Sequence, residues 1–269
     1  MPLVRQTFRA MATGFEIVLL GDDDEHLAAV AAAIADEVWR VERLLSRFDP
    51  ASEISRINRD AARITLKLDR ELVQVLAECR DGWQRSAGLF AVVQREESSR
   101  VGWEEVDFDE ETGTIRLRDP RLSFDLGAYG KGYALDRAAE LLARYGIEDA
   151  FLHGGTSSAI ARGRSSTGEP WRVALGPKAN LMVELHNAAL STSASSAQGE
   201  ELADIIDPST CQPLVGESQC SVIAGTASSA EIASTSLLLR GSGNLPLENW
   251  PIRNAYWFDN VRLQASWGT

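Results

Sequence analysis

Helix-period and strand-period segments follow one another in this chain without a regular β-α-β rhythm. That argues against a doubly wound parallel sheet and for an α+β fold of mixed helices and antiparallel sheets. Leu27, Val30, Ala31, Ile34, Val38, Val41 and Leu45 recur at intervals of three and four behind the acidic run Asp22–Glu25, which suits the positive end of a helix. A strand over Glu16–Leu20 is expected before it, and Pro50 cannot continue it. Ser52–Asn58 reads as a short helical piece. Asp69 is a good N-cap for a second long helix, with Leu72, Val75, Leu76, Cys79 and Trp83 on one face. Trp103–Leu117 predicts a hairpin and another strand ends near Asp125. A third helix follows, with Ala134, Ala138, Leu141, Leu142 and Tyr145 inward and Gly146 as its stop.

Beyond it, Ala150–His153 is a short strand running into Gly154-Gly155. Trp171–Leu175 and Met182–His186 alternate like paired strands. Ser191–Gly199 reads as a small polar loop, Gln219–Ala224 as a strand, and Ser229–Arg240 as a fourth helix ending at Gly241. Ala255–Phe258 and Val261–Trp267 predict a closing hairpin about Asp259-Asn260. No low-complexity linker and no tandem repeat divides the chain, so residues 1–269 are expected to form one domain.

Charge narrows the function classes. Lys and Arg number 27 against 39 Asp and Glu, a formal net charge of −12 with no basic run. Such a chain is a poor partner for nucleic acid or an anionic membrane surface. No stretch approaches the roughly 20 apolar residues of a transmembrane helix. Met1–Gln6 lacks the apolar core of a signal peptide, and no cysteine near it offers a lipid anchor. Cys79, Cys211 and Cys220 have no metal spacing and suit reduced thiols, so a cytoplasmic location is expected. His26, His153 and His186 are far apart, which makes a His-rich zinc site a poor expectation and favours oxygen ligands for any metal.

Four segments carry candidate chemistry. Asp125–Asp136 places three glycines and Lys131 between a strand end and a helix start, where free N–H groups and a lysine attract phosphate oxygens. A tight turn with Lys131 in solvent is the plainer alternative. Gly154-Gly155-Thr156 is a second glycine turn, equally readable as an ordinary loop. Asp204-Ile205-Ile206-Asp207-Pro208 sets two carboxylates around an apolar pair, with Asp207 suited to the turn at Pro208. Glu231 and Thr235, four apart on the fourth helix, share a face and can hold a hard cation; an exposed Glu with a back-bonding Thr is the alternative.

In their order along the chain these motifs resemble the ApbE family, the FAD:protein FMN transferases. Met11-Ala12-Thr13 is similar to the family's Met-Gly-Thr. Leu45–Phe48 and Ser52–Asn58 are similar to its Ser-x-Tyr and Ser-Glu-Ile-Ser-x-x-Asn. Asp125–Asp136 resembles its Asp-Leu-Gly-Gly-x-Ala-Lys-Gly-Tyr-x-x-Asp, Ile205–Thr210 its Ile-Ile-Asp-Pro-x-Thr, and Ala230–Thr235 its Ala-Asp-Ala-Leu-Ala-Thr. The likeness spans roughly residues 10 to 241. It implies a T-fold-like single compact unit that binds FAD and magnesium. It also implies transfer of FMN from FAD to a Ser or Thr of a target flavoprotein, with release of AMP.

The resemblance puts metal ligands at Ala128 (its carbonyl), Glu231 and Thr235, and flavin-nucleotide contacts at Met11, Phe48, Leu89, Phe90, Asp125, Lys131 and Ile205. Asp204, or Asp207 beside it, is the expected proton acceptor. The chain departs from the pattern at several of these places. Glu231 replaces an aspartate, Asp204 a histidine, Thr156 and Ala91 aspartates, Cys211 a glycine, and Phe48 a tyrosine. These changes raise the alternative of a non-catalytic flavin-nucleotide binding protein, and the resemblance itself, since some members hydrolyse FAD, that of a hydrolase giving FMN and AMP. They also lead one to expect that Glu231→Asp, which restores the family residue, preserves or improves metal dependence.

Overall fold

The computed structural model describes residues 2–95, 102–176, 178, 181–195, 205–241, 250–260 and 262–268. In chain order the elements are β1 (Leu3–Ala10), β2 (Thr13–Leu20), α1 (Asp24–Leu45), α2 (Glu53–Asp60), β3 (Leu66–Lys67), α3 (Arg70–Arg85), β4 (Val93–Arg95), β5 (Val106–Asp109), β6 (Thr114–Leu117), β7 (Leu122–Phe124), α4 (Gly127–Arg144), β8 (Asp149–Gly154), β9 (Ser158–Arg162), β10 (Trp171–Leu175), β11 (Leu181–Leu185), β12 (Ala188–Ala194), β13 (Ile206–Asp207), β14 (Gln212–Pro213), β15 (Ser218–Ala224), α5 (Ala227–Arg240), β16 (Ile252–Asp259) and β17 (Arg262–Gly268). The architecture is α+β, as the irregular rhythm predicts. The chain divides into two compact units, residues 1–42, 129–195 and 217–269 in one, 43–128 and 196–216 in the other. Among the described residues no helix is long and apolar enough to cross a membrane.

The first unit is built on an eight-stranded sheet in the order β1-β2-β8-β9-β12-β15-β16-β17, antiparallel at every pairing. Side chains alternate across a strand, so each strand of this sheet serves two faces. Leu190, Ala188 and Ile223 on one face join Leu175, Val183 and Leu185 of the β10–β11 hairpin in a buried apolar cluster with Phe258. On the other face of β12 lie Ser191 and Ser193, which meet α5. α1 buries Leu27, Val30, Ala31, Ile34, Val38 and Val41, the predicted stripe. Each large member contributes roughly 1.5–3 kcal/mol on full burial.

The second unit holds α2, α3, the three-stranded sheet β3-β6-β5 and the pairs β4-β7 and β13-β14. α2 starts where the Ser52 side chain accepts from Ser55 N, and α3 where Asp69 accepts from Leu72 N. Asn58, on α2, acts as a piece of strand. Its amide nitrogen donates to Phe124 O at 3.0 Å, and its amide oxygen accepts from Phe124 N at 2.7 Å.

Three local expectations are corrected and one strand is added. Gly127–Gly132 is the opening of α4 itself rather than a turn before it. Ser191–Ala194 is strand, the end of β12, rather than loop. Leu3–Ala10, ahead of the first strand read from the sequence, forms the sheet edge β1, its side chains alternating between exposed and half-buried as far as Arg9. Tyr145 is 42% exposed rather than inward, because α4 ends at Arg144 and the helical phase ends with it.

Candidate functional site

In the first unit the functional side chains converge on the packing of α4 against α5. Gly132 makes that packing possible: a β-carbon there would stand 2.7 Å from the Ala227 carbonyl oxygen and 2.7 Å from Glu231 Cγ. Asp136, one turn further on, caps α5. Its two carboxylate oxygens accept from Ala227 N at 2.6 Å and Ser228 N at 2.8 Å. Thr226 Oγ1 takes the next donor, Ser229 N. Three of the four N–H groups that a helix leaves unpaired at its start are thereby satisfied, and α5 is fixed along its axis. Glu231 and Thr235 follow on its buried side, 4% and 7% exposed. The plain alternative, an exposed Glu, is thus excluded.

Burial pushes the Glu231 carboxyl above the usual carboxylate range, opposed by the nearby Lys131 charge and by hydrogen bonds from Ser158 and Ser191. Lys131 is half-buried on α4. The donors here are a carboxylate and a hydroxyl, all hard oxygens, and their chemistry fits a magnesium ion. Among the described residues no group of three or more His, Cys, Asp or Glu side chains forms a metal cluster.

Two turns of this unit also carry implied contacts. Met11 and Ala12 form the two-residue β1–β2 turn with φ of 50° and 59°. Met11 N donates to Glu42 Oε1 at 2.7 Å. Gly155, with φ of 64°, turns β8 into β9, and a β-carbon there would stand 2.7 Å from Thr13 Oγ1. Thr156 beside it is exposed.

The second unit presents a different group. Phe48 is 82% exposed in a turn held by Ser46, whose hydroxyl accepts from Phe48 N and Asp49 N. The Arg47 guanidinium lies 4.6 Å from the centre of the Phe48 ring, and Arg47 Nε pairs with Asp125 at 3.1 Å. Arg47, Phe48, Pro50, Ser55, Asn58 and Arg59 line a shallow cleft. Asp125 also accepts from Gly127 N at 2.9 Å. Ala128 is exposed in the first turn of α4, and Leu89 and Ile205 are half-buried. Phe90 is 1% exposed, so its ring is core and only its backbone can meet a ligand. Asp207 receives both the N–H and the hydroxyl of Ser209, the turn role expected of it. Asp204 lies outside the described residues.

Sequence reasoning missed Ser158, Ser191, Ser193 and Ser234, which surround Glu231 and Thr235. The signal was present: Ser191 and Ser193 are spaced by two, as on one strand face, and Ser234 stands beside Thr235 on the helix.

Comparison with known proteins follows the same outline. The ApbE family profile matches residues 11–96 and 91–246. An FAD:protein FMN transferase of Rhodobacter capsulatus is 28% identical over 287 residues, covering 93% of this chain and 53% of that protein. One of Klebsiella pneumoniae (strain 342) is 24% identical over 271 residues, covering 87% and 77%. The chain therefore spans about half the length of the first relative. Among solved structures, the ApbE protein from Thermotoga maritima MSB8 superposes with a TM-score of 0.85 at 21% identity, covering 100% of this chain and 97% of that one. Flavin transferase ApbE from Vibrio cholerae gives 0.82 at 19%, covering 100% and 97%.

Proposed function

This chain belongs to the ApbE family, and on that premise we propose that it is a magnesium-dependent FAD:protein FMN transferase. The observation that carries the reading is the grouping of Lys131, Glu231 and Thr235 where α4 packs on α5: a cation beside two hard oxygen donors. In the proposed reaction an acceptor serine or threonine oxygen bonds to the FMN-side phosphorus of FAD. The pyrophosphate P–O bond breaks, AMP leaves, and the hydroxyl proton passes to a carboxylate, for which Asp204 is the candidate and Asp207 the neighbour. Lys131 offsets the charge that builds on the pyrophosphate oxygens. Glu231, Thr235 and the Ala128 carbonyl would hold magnesium, which supplies Lewis-acid stabilisation of the same charge when bound. Met11, Phe48, Leu89, Phe90, Asp125 and Ile205 are the proposed flavin-nucleotide contacts, Phe48 by ring stacking and Phe90 through its backbone. All three cysteines are thiols, which supports a reducing, cytoplasmic compartment.

The test is incubation with FAD, magnesium and a flavin-free flavoprotein that accepts FMN on Ser or Thr. Release of AMP together with covalent fluorescence on the acceptor is expected. Two other outcomes are distinguished from it by the same incubation. AMP with free FMN would identify a hydrolase, and FAD binding without AMP a binding protein.

A further inference from the structure

Glu231 and Thr235 are joined by an unbroken chain of hydroxyls drawn from the sheet and from α5 itself. Ser158 on β9 and Ser191 on β12 are direct partners in the strand register. Ser158 Oγ donates to Glu231 Oε1, and Ser191 Oγ donates to Glu231 Oε2 at 3.0 Å. From Ser191 the chain runs to Ser234 Oγ at 3.0 Å, then to Ser193 Oγ at 2.9 Å, then to Thr235 Oγ1 at 3.2 Å. Every member is buried.

Each hydroxyl has one proton, and a carboxylate that holds a cation is ionised and only accepts. Ser191 commits its proton to Glu231, so it accepts from Ser234. Ser234 in turn accepts from Ser193, and Ser193 from Thr235. A 3.3 Å contact from Ser234 to the Glu231 carbonyl competes for the same proton, but hydrogen bonds aligned on a charge strengthen one another. The charge at one end thus sets the direction of the whole chain. Thr235, at the other end, donates inward and keeps its lone pairs for another partner.

We propose that Ser158 and Ser191 are positioning residues: they clamp the Glu231 carboxylate and, through Ser234 and Ser193, orient the Thr235 hydroxyl, so that both present acceptor oxygens to one divalent cation. This rests on the metal reading above. It also explains why glutamate serves here. An aspartate carboxylate is one methylene shorter and draws back from both serine hydroxyls, leaving Ser158 only the Ser157 hydroxyl and Ser191 only the Ser234 hydroxyl in place of a charged acceptor. On this reading Glu231→Asp weakens magnesium dependence, where the resemblance alone leads one to expect that it preserves or improves it.

Magnesium is titrated calorimetrically, with FAD present, into the wild type, Ser158→Ala/Ser191→Ala, Glu231→Asp and the triple variant, with thermal unfolding in chelator read alongside. Ser158→Ala/Ser191→Ala is expected to weaken magnesium binding at least tenfold. Glu231→Asp should weaken binding and lower Tm in the wild-type background, and do much less where both serines are already alanine. Should the double variant not fold, Ser191→Ala alone should weaken binding, and Ser191→Thr, which keeps the hydroxyl, should restore it. Unchanged magnesium affinity without the serines, or additive effects of the serine and glutamate changes, overturns the clamp. A wild type that binds no magnesium overturns the metal reading itself, a result distinct from a wild type and a serine variant that bind alike.

Discussion

Gly132 on α4 abuts Glu231 on α5 so closely that a β-carbon on the glycine would come within 2.7 Å of Glu231 Cγ. Contacts that short do not occur between real side chains, and the Ala227 carbonyl, four residues earlier on α5, is equally near. Glycine here is a requirement of helix contact.

Gly132→Ala tests this. Alanine favours a helix interior by about 1 kcal/mol, whereas forcing a methyl against backbone costs about 1–3 kcal/mol. Net destabilisation of roughly 1 kcal/mol is expected by urea unfolding, with weaker FAD binding. A variant more stable than wild type would mean that α4 and α5 stand further apart.

Ala12 offers a change in the opposite direction. Its φ is 59°, a region that costs an L-residue about 1–2 kcal/mol and glycine little. Ala12→Gly, which also restores the family residue, should raise stability by about 0.5–1 kcal/mol after the extra freedom of the unfolded chain is counted. Calorimetric melting checks it.

Glu37 on α1 gives a pH signature. Arg40 above all, with Arg137 of α4 also contributing, holds its carboxyl below the usual range against the opposing effect of burial. Because the folded value is depressed, the unfolded chain takes up the proton first as pH falls. The stabilisation is complete above the ordinary value of 4.5 and is lost as pH drops from there through the folded value. Glu37→Gln should therefore be less stable than wild type at pH 7, on the order of 1 kcal/mol given solvent screening. The gap should close on acidification, as followed by urea unfolding at stepped pH.

What the sequence makes legible divides along physical lines. Helices announced themselves where an apolar stripe met a cap, as at Asp69 and Gly241, because both signals are local. The strand at Ser191–Ala194 did not, because its inward side chains are hydroxyls whose partners lie 40 or more residues away on α5. Gly130 and Gly132 read as a turn by propensity, and tertiary packing overrode it. For the site, chain order among the motifs pointed to Lys131, Glu231 and Thr235. It gave no hint of Ser158 opposite Ser191, since cross-strand register is fixed only by the folded sheet.

Thiol chemistry gives a simple accessibility check. Cys79 and Cys220 are buried, and burial pushes both thiols well up, while Cys211 is exposed on the turn between β13 and β14. Iodoacetamide at pH 8 should label the native protein once, at Cys211, and the unfolded chain three times, by mass spectrometry. A second native label would mean that β15 or α3 opens.

An aromatic ring has two faces, and at Phe48 one of them already carries the Arg47 guanidinium, itself tied to Asp125. A planar molecule stacking on that ring without displacing the arginine meets it from one side only. The side of Phe48 on which such a ligand stacks is therefore decided before it arrives: only the ring face away from the guanidinium is open to it.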